Sequence, residues 1–417
     1  MRLNKLRDGL VAGLLLVTNL AAGQAAETNV VTVTVAAPDH DVREAPVSIT
    51  VPPFAASTAN LAGGNDTYPC QIGAPEDLNP ANSRLTWIVR DLKRGEKRTY
   101  RLAVAPAATP GTGVELKRNG ENVDFYVNGK LFTRYDTTTG PNKPYFYPVN
   151  APTGGQVVRH WPVEKTEGET TDHPHHRGLW FTHGVVNGVD FWLESKGTGK
   201  TVHTGYDTIE SGPVYGLMRA KTDWLRPDGQ KIAEDKREVR VYNLAGGYLM
   251  DFAITVKAVG GPLVWGDSKE GTFALRVADS MRAKVEKGKV AEGHILNAAG
   301  DKDAAAWGKA AAWCDFYGPV DGQMVGVAIF DDPRNPRHPT TWHVRDYGLF
   351  AANPFGLHDF NPKQNPRGKG DLTVPEGETI TFRYRLFFHA GTPKEARIAE
   401  VWQAFAAPPL AQADQQP

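Results

Sequence analysis

Apolar and polar residues alternate along most of this chain, and period two is the signature of a strand with one buried face. NVVTVTVAA (residues 29–37) places Val31, Val33 and Val35 on one side. VSITVPPF and RLTWIVRDLKRGEKRTYRLAV repeat the pattern, the latter turning at Gly95 and Glu96. Residues 26–105 therefore predict a small β-sandwich-like domain of short strands. APAATPGTG is rich in Pro, Gly and Ala and predicts a linker over residues 106–113. From Val114 to about Ala407 the pattern predicts one large β domain. VDFYVNGKLFTRY carries Asn128-Gly129 between apolar runs, a hairpin signal. GLMRAKTDWL, REVRVYNL, YLMDFAITVKAV, TFALRVA, MVGVAIF and TITFRYRLFFHA are further strands. In the last, Ile380, Phe382, Tyr384, Leu386 and Phe388 share a face, and Arg383 and Arg385 are expected to face solvent.

One segment changes period. Thr392-Pro393-Lys394-Glu395 reads as a capping box with proline at the first helical position. Ile398, Val401, Trp402 and Phe405 then follow at helical spacing. The tail, residues 408–417, is expected to be disordered. At the other end, Arg2, Lys5 and Arg7 precede GLVAGLLLVTNLAAG, shorter than the roughly 20 apolar residues of a membrane span. Gly23-Gln24-Ala25 fits a small-x-small cleavage site, so residues 1–25 are expected to be an export signal. An exported protein, periplasmic or secreted and not inserted in a membrane, follows.

Composition adds exclusions. The 47 basic and 47 acidic residues cancel, which gives no electrostatic case for nucleic acid. Export permits a disulfide, but Cys70 and Cys314 could equally be two buried thiols, and the sequence leaves both open. Oligomeric state is not legible.

The chemistry concentrates in three stretches. DHPHHRGLWFTHG, from Asp172 to Gly184, holds four of the twelve histidines, His173, His175, His176 and His183, together with Arg177 and Trp180. Pro174 and Gly178 argue for a loop feeding a strand. Imidazole titrates near neutrality and ligates metals, so acid–base work, metal binding and polar packing are the readings to weigh. The spacing matches no specific metal signature. No cofactor is required, and any divalent metal would be held by His173, His175 and His176. GDSKEGTFALR, residues 266–276, offers Asp267 and Glu270 in a turn, with Glu270 the candidate general base. RHPTTWHVRDYGLFAANPFGLHDF, residues 337–360, interleaves His343, Tyr347 and His358 with aromatics, a combination that suits sugar rings. Arg159 and His160 extend the same wall.

DHPHHRGLWFTHGVVNGVDFW, KPYFYPVNAPTG, DSKEGTFALRVAD and DYGLFAANPFG, in this order, resemble a bacterial family of exported proteins labelled PmoA, or methane oxygenase PmoA. The label implies a membrane monooxygenase with several spanning helices. Nothing here beyond the first segment would supply them, so that activity is set aside. What the resemblance implies is association with glycan breakdown. At fold level, the hairpin, PYFYPVN, the His-rich segment and the closing LTVPEGETITFRYRLFF are similar to the galactose-mutarotase-like supersandwich. The fold class expected is thus mainly β, a large supersandwich preceded by a small β-sandwich.

Together these readings predict a carbohydrate-active protein, either a hydrolase or lyase using His/Glu chemistry, a sugar epimerase or mutarotase, or a non-catalytic glycan binder. His176, His183, Glu270 and His343 are the expected catalytic groups. Arg177, His173, His175, Trp180, Asp267, Tyr347, His358 and Arg159 are expected to bind substrate.

Overall fold

The computed structural model describes residues 31–53, 56–74, 82–104, 112–284 and 290–414. The expected export signal lies outside these residues, as does most of the expected linker. The chain from Val31 onward forms one contact unit.

Alternation becomes strand almost wherever it occurs. First come β1 (Thr32–Ala36), β2 (Val42–Val51), β3 (Thr58–Gly63), β4 (Asp66–Gly73), β5 (Ser83–Leu92) and β6 (Lys97–Val104). Then follow β7 (Val114–Asn119), β8 (Asn122–Val127), β9 (Lys130–Asp136), β10 (Tyr145–Val149) and β11 (Leu179–His183). The long β12 (Lys200–Glu210), β13 (Tyr215–Leu225), β14 (Lys231–Leu244) and β15 (Gly247–Ala258) come next. The remaining strands are β16 (Leu263–Trp265), β17 (Gly271–Arg276), β18 (His294–Asn297), β19 (Trp313–Val320), β20 (Gln323–Asp331), β21 (Thr341–Val344), β22 (Leu349–Asn353), β23 (Leu372–Val374), β24 (Thr379–Ala390) and β25 (Leu410–Asp414). Two short helices, α1 (Leu357–Phe360) and α2 (Ile398–Ala406), complete the elements used below.

The architecture is mainly β. Two eight-stranded antiparallel sheets run β21-β22-β17-β11-β10-β9-β8-β7 and β12-β13-β14-β15-β24-β20-β19-β18. They pack face to face because each strand turns one apolar row inward. Phe273 from β17 stacks on Tyr384 from β24 at 4.8 Å and packs on Phe252 from β15 at 4.7 Å. Phe181 meets Trp224 and Phe382 in the same layer. The Asn128-Gly129 hairpin forms between β8 and β9, with both residues at the positive φ that a tight primed turn requires (49° and 76°).

The first strands build a seven-stranded sheet, β2-β5-β4-β3-β6-β1-β25, which curls until its edge strands β2 and β25 approach each other. Its last strand corrects an expectation. Residues 410–414 of the tail are ordered, pairing with β1 in the register Val33↔Ala413 and Val35↔Ala411. The free edge of β1 supplies backbone partners that composition alone does not reveal, and Ala411 and Ala413 pack on that sheet's core.

The capping box also differs from its prediction. Thr392 and Glu395 do exchange hydrogen bonds, but they close a separate turn. Arg397 adopts φ 57°, and α2 starts after it. Its apolar stripe covers one end of the outer face of the β12–β18 sheet, where Ile398 is buried against residues such as Phe330 and Trp313. Arg385 is not solvated as expected. It is buried, bonded through two nitrogens to Asp251 at 2.6 and 2.7 Å, and lies under Phe405. Cys70 and Cys314 are separate buried thiols, and burial pushes the Cys70 thiol up to about 12.

Candidate functional site

Register gathers the three chemical stretches on the outer face of the β7–β22 sheet. One cross-strand row reads Tyr145, Trp180, Ala274, Ala351, His343. Strands lie about 4.8 Å apart, so Trp180 and His343 stand roughly 14 Å apart, three strands across. The two alanines between them leave room for side chains brought in by loops.

Two guanidiniums anchor the histidine loop. Arg159 and Arg276 both lie fully buried, and both bind the carboxylate of Asp172. Arg159 also donates to the carbonyls of Asp172 (2.8 Å) and His173 (3.3 Å). Burial disfavours the Asp172 anion, but the two arginines outweigh it and hold its carboxyl at about 2. His173 takes the left-handed backbone conformation, φ 44°, and its Nδ1 lies 2.9 Å from Asp172 Oδ2, in ion-pair range but without hydrogen-bond alignment.

The rings of this loop form a column. Trp180 stacks under His176 (5.4 Å between centroids), His176 under His173 (4.8 Å), and His173 under Tyr347 (5.2 Å). Trp180 and His176 form its buried base, while His173 and Tyr347 are part-exposed. His175 packs edge-on to His173 and His176. Burial, reinforced by nearby cations, drops the His175 imidazole to about 3 and His176 well below its ordinary value.

Glu270 stands at the other side of the site, on a turn fixed from every direction. Its carbonyl accepts from Gly184 N (2.6 Å) and its N–H donates to Ser268 Oγ (3.1 Å). Asn353 Nδ2 donates to the carbonyls of Ser268 (2.9 Å) and Lys269 (2.8 Å), and Asp359 accepts from Lys269 N (2.9 Å). A Cβ on Gly184 would lie 2.8 Å from that of Glu270, so only glycine lets β11 and the turn approach so closely. The Glu270 side chain is one-third exposed, with Lys269 Nζ at 3.3 Å and His343 Nε2 at 3.9 Å.

The tautomer of His343 is fixed. Trp307 Nε1 donates to its Nδ1 at 3.0 Å, so Nε2 carries the hydrogen and faces Glu270. Burial first, then Arg345 and Lys269, push this imidazole down to about 3. Tyr347 moves the other way. Burial raises its phenol, Arg276 and Arg345 partly offset this, and Glu270 and Asp172 reinforce it. The site thus holds a carboxylate, neutral imidazoles and a protonated phenol, beside part-exposed rings of Trp307, Phe360, Tyr347 and His173.

Several expected roles do not survive this geometry. His183 is fully buried in the core, its Nε2 donating to Gly266 O (2.7 Å) between Trp265 and Phe355, so it has no access to substrate. His176 is a buried neutral ring and cannot serve as an imidazolium acid. His343 has the same limit and is instead a neutral donor. Arg177 is occupied by Glu194 (2.8 and 3.1 Å), which also binds the buried Lys143. Arg159 and Trp180 are buried supports, not contact surfaces. Asp267 accepts from the backbone of His358 (3.0 Å) and Gly370 (2.9 Å), and His358 Nδ1 binds Asn365 O (2.8 Å), so both brace the Glu270 turn. Among the described residues no three His, Cys, Asp or Glu side chains could hold a metal. Parallel stacking keeps the nitrogens of His173 and His176 in separate planes, so His173, His175 and His176 do not converge. Glu270, His173, His175 and Tyr347 remain part-exposed.

Sequence reasoning missed Trp307, Arg276, Lys143 and Glu194. No local pattern marks them, because each is recruited by a partner more than 30 residues away or, for Glu194, 17 away.

The family model described as "Family of unknown function (DUF6807)" matches residues 122–403. The chain belongs to this family. Its description does not carry the PmoA label that the motifs suggested. No curated protein sequence matches the chain. Among solved structures, a protein in glycosyl hydrolase family 38 from Enterococcus faecalis is similar at 12% identity (TM-score 0.38), over 93% of this chain and 47% of its own. An alpha-mannosidase from Enterococcus faecalis V583 is similar at 11% identity (TM-score 0.39), over 93% and 46%. The chain thus spans about half the length of these two proteins. A galactose mutarotase-like protein from Lactobacillus casei ATCC 334 is similar at 9% identity (TM-score 0.33), over 66% of this chain and all of that one.

Proposed function

We propose that this DUF6807 member is an exported enzyme that moves protons on a carbohydrate ring, with Glu270 as general base and Tyr347 as proton donor. The observation that carries the reading is Glu270: its backbone is held on all sides while its carboxylate stays part-exposed, facing the Nε2–H of a neutral imidazole with a fixed tautomer. A base must be positioned before its basicity counts. His343 presents its N–H toward Glu270 from 3.9 Å. The part-exposed rings of Trp307 and Phe360 offer apolar surface to the C–H patches of a sugar.

Proton abstraction fits better than two-carboxylate hydrolysis, which needs a second carboxyl able to hold a proton. Asp172 is held at about 2 by two guanidiniums, and Glu194 is enclosed by Lys143 and Arg177. In this reading the phenol of Tyr347, which burial keeps protonated, supplies the proton.

The test is Glu270→Gln, assayed against a panel of polysaccharides by product mass and new reducing ends. The variant should keep its unfolding midpoint and lose at least about a hundredfold in rate. Wild-type turnover by a folded Glu270→Gln protein would remove the base and the reading with it. N-terminal sequencing of the protein recovered from cells tests the export signal, with a start at Ala26 expected.

A further inference from the structure

Arg345 differs from the other arginines of the site. Arg159 and Arg276 are spent on Asp172, and Arg177 on Glu194. Among the described residues, no carboxylate lies in ion-pair range of the Arg345 guanidinium, and no side-chain hydrogen bond holds it. Two aromatic faces pin it instead, Trp307 at 5.6 Å and Tyr347 at 5.4 Å. Its backbone is fixed by a turn, with Arg345 N donating to Leu349 O (2.7 Å) and Gly348 N to Arg345 O (2.9 Å). Cation–π contact with two rings restrains a guanidinium and leaves its N–H groups available to a carboxylate.

Among the described residues, Asp172 answers two arginines, Lys269 pairs with Glu270, and Arg345 has no carboxylate in ion-pair range. The charged neighbours that weigh most on the nearby imidazoles of His175, His176 and His343 are cations, which disfavour their protonation. A site of this kind attracts an anion.

We infer that the site takes an acidic sugar, a uronate within a glycan, and that Arg345 binds its carboxylate. The inference rests on Glu270 acting as a base, and it explains how that base can act without a second carboxylic acid. Pairing a carboxylate with guanidinium lets negative charge develop on it, which acidifies the C–H bond on the adjacent carbon. Glu270 takes that proton, and the electron pair forms a C=C bond to the next ring carbon. The glycosidic C–O bond there breaks, and Tyr347 supplies a proton to the leaving oxygen. One C–H and one C–O bond are exchanged for one C=C and one O–H, with no water or oxidant consumed.

The probes are uronate polysaccharides of differing linkage (pectate, alginate, glucuronan) and the same polymers after reduction of their carboxyl groups. Binding is measured by calorimetry on Glu270→Gln, and turnover by the ultraviolet absorbance of an unsaturated uronate. At least one native polymer should bind and be cleaved, and its reduced form should do neither. Arg345→Gln should weaken binding by about tenfold to a hundredfold, with Arg345→Lys recovering part of it, while its unfolding midpoint stays at wild type. Equal binding of native and reduced polymers, or equal binding by Glu270→Gln with and without Arg345→Gln, overturns the inference but leaves the base intact. Binding of none of the native polymers overturns it too. Uronate binding with Arg345-dependent affinity but undiminished turnover by Glu270→Gln supports the carboxylate contact and defeats the base.

Discussion

His343 and His183 are both buried imidazoles on strands of one sheet, yet one bond separates their fates. His183 gives its only N–H to a main-chain carbonyl, so nothing is left for chemistry. His343 accepts through Nδ1 from Trp307, which directs its N–H to Glu270. Trp307→Phe keeps most of the packing and removes that donor. The expected result is a drop in kcat of about tenfold with KM little changed, and a nitrogen NMR spectrum in which His343 no longer shows a single Nε2–H tautomer. A spectrum unchanged from wild type would show that Trp307 does not set the tautomer. His183→Ala should cost about 2–4 kcal/mol in urea unfolding, from the cavity and the orphaned Gly266 carbonyl. An unaltered midpoint would contradict its structural role. Asp172→Asn removes the shared counter-ion of two buried guanidiniums. Its cost should be about 3 kcal/mol, at the low end for a buried network because this carboxylate is itself part-solvated.

At the scale of elements, the site depends on pieces distant in sequence bracing one another. The Glu270 turn is held by Asn353 from β22 and by Asp359 from α1, while β11 approaches it through Gly184. The last strand shows the same logic at the far end of the molecule. β25 covers the open edge of β1 with residues 410–414. Deleting residues 408–417 should therefore destabilise the protein by on the order of 2–5 kcal/mol, the sum of several edge hydrogen bonds, and promote association through the exposed edge. Light scattering and a thermal melt check this, and a truncated protein with a wild-type melt would contradict it.

Across the whole molecule, burial of neutral histidines sets the pH response. The folded-state values of His175 and His343 fall to about 3 and those of His183 and His203 to about 4, against an ordinary 6.5, and His176 is also strongly depressed. These groups stay neutral when folded and take up protons on unfolding. Their contribution is present above about pH 6.5 and is lost as pH falls toward 4. His389, raised by its pairing with Asp315, and Asp331, raised by burial, work in the opposite sense but are two groups against five. Denaturation midpoints measured from pH 7 to pH 4 should fall steadily, and a flat profile would refute the burial argument. Asp172, held at about 2, adds a further loss only below the ordinary carboxylate value of 3.8.

The sequence by itself determined the β class and the Asn128-Gly129 hairpin, because period two and turn residues act over a few neighbouring positions. It also singled out Glu270 and Tyr347. Which of the twelve histidines face a site was beyond it. A slip of one position along a strand moves a side chain to the opposite face, and that register is set by cross-strand pairing. Thus His343 and Trp180 reach the outer face, three strands apart, while His183 turns into the core. Only the tertiary structure decided which charges are already spent. Arg159, Arg177 and Arg276 look like Arg345 in the sequence, but ion pairing depends on partners that the fold brings within a few ångströms.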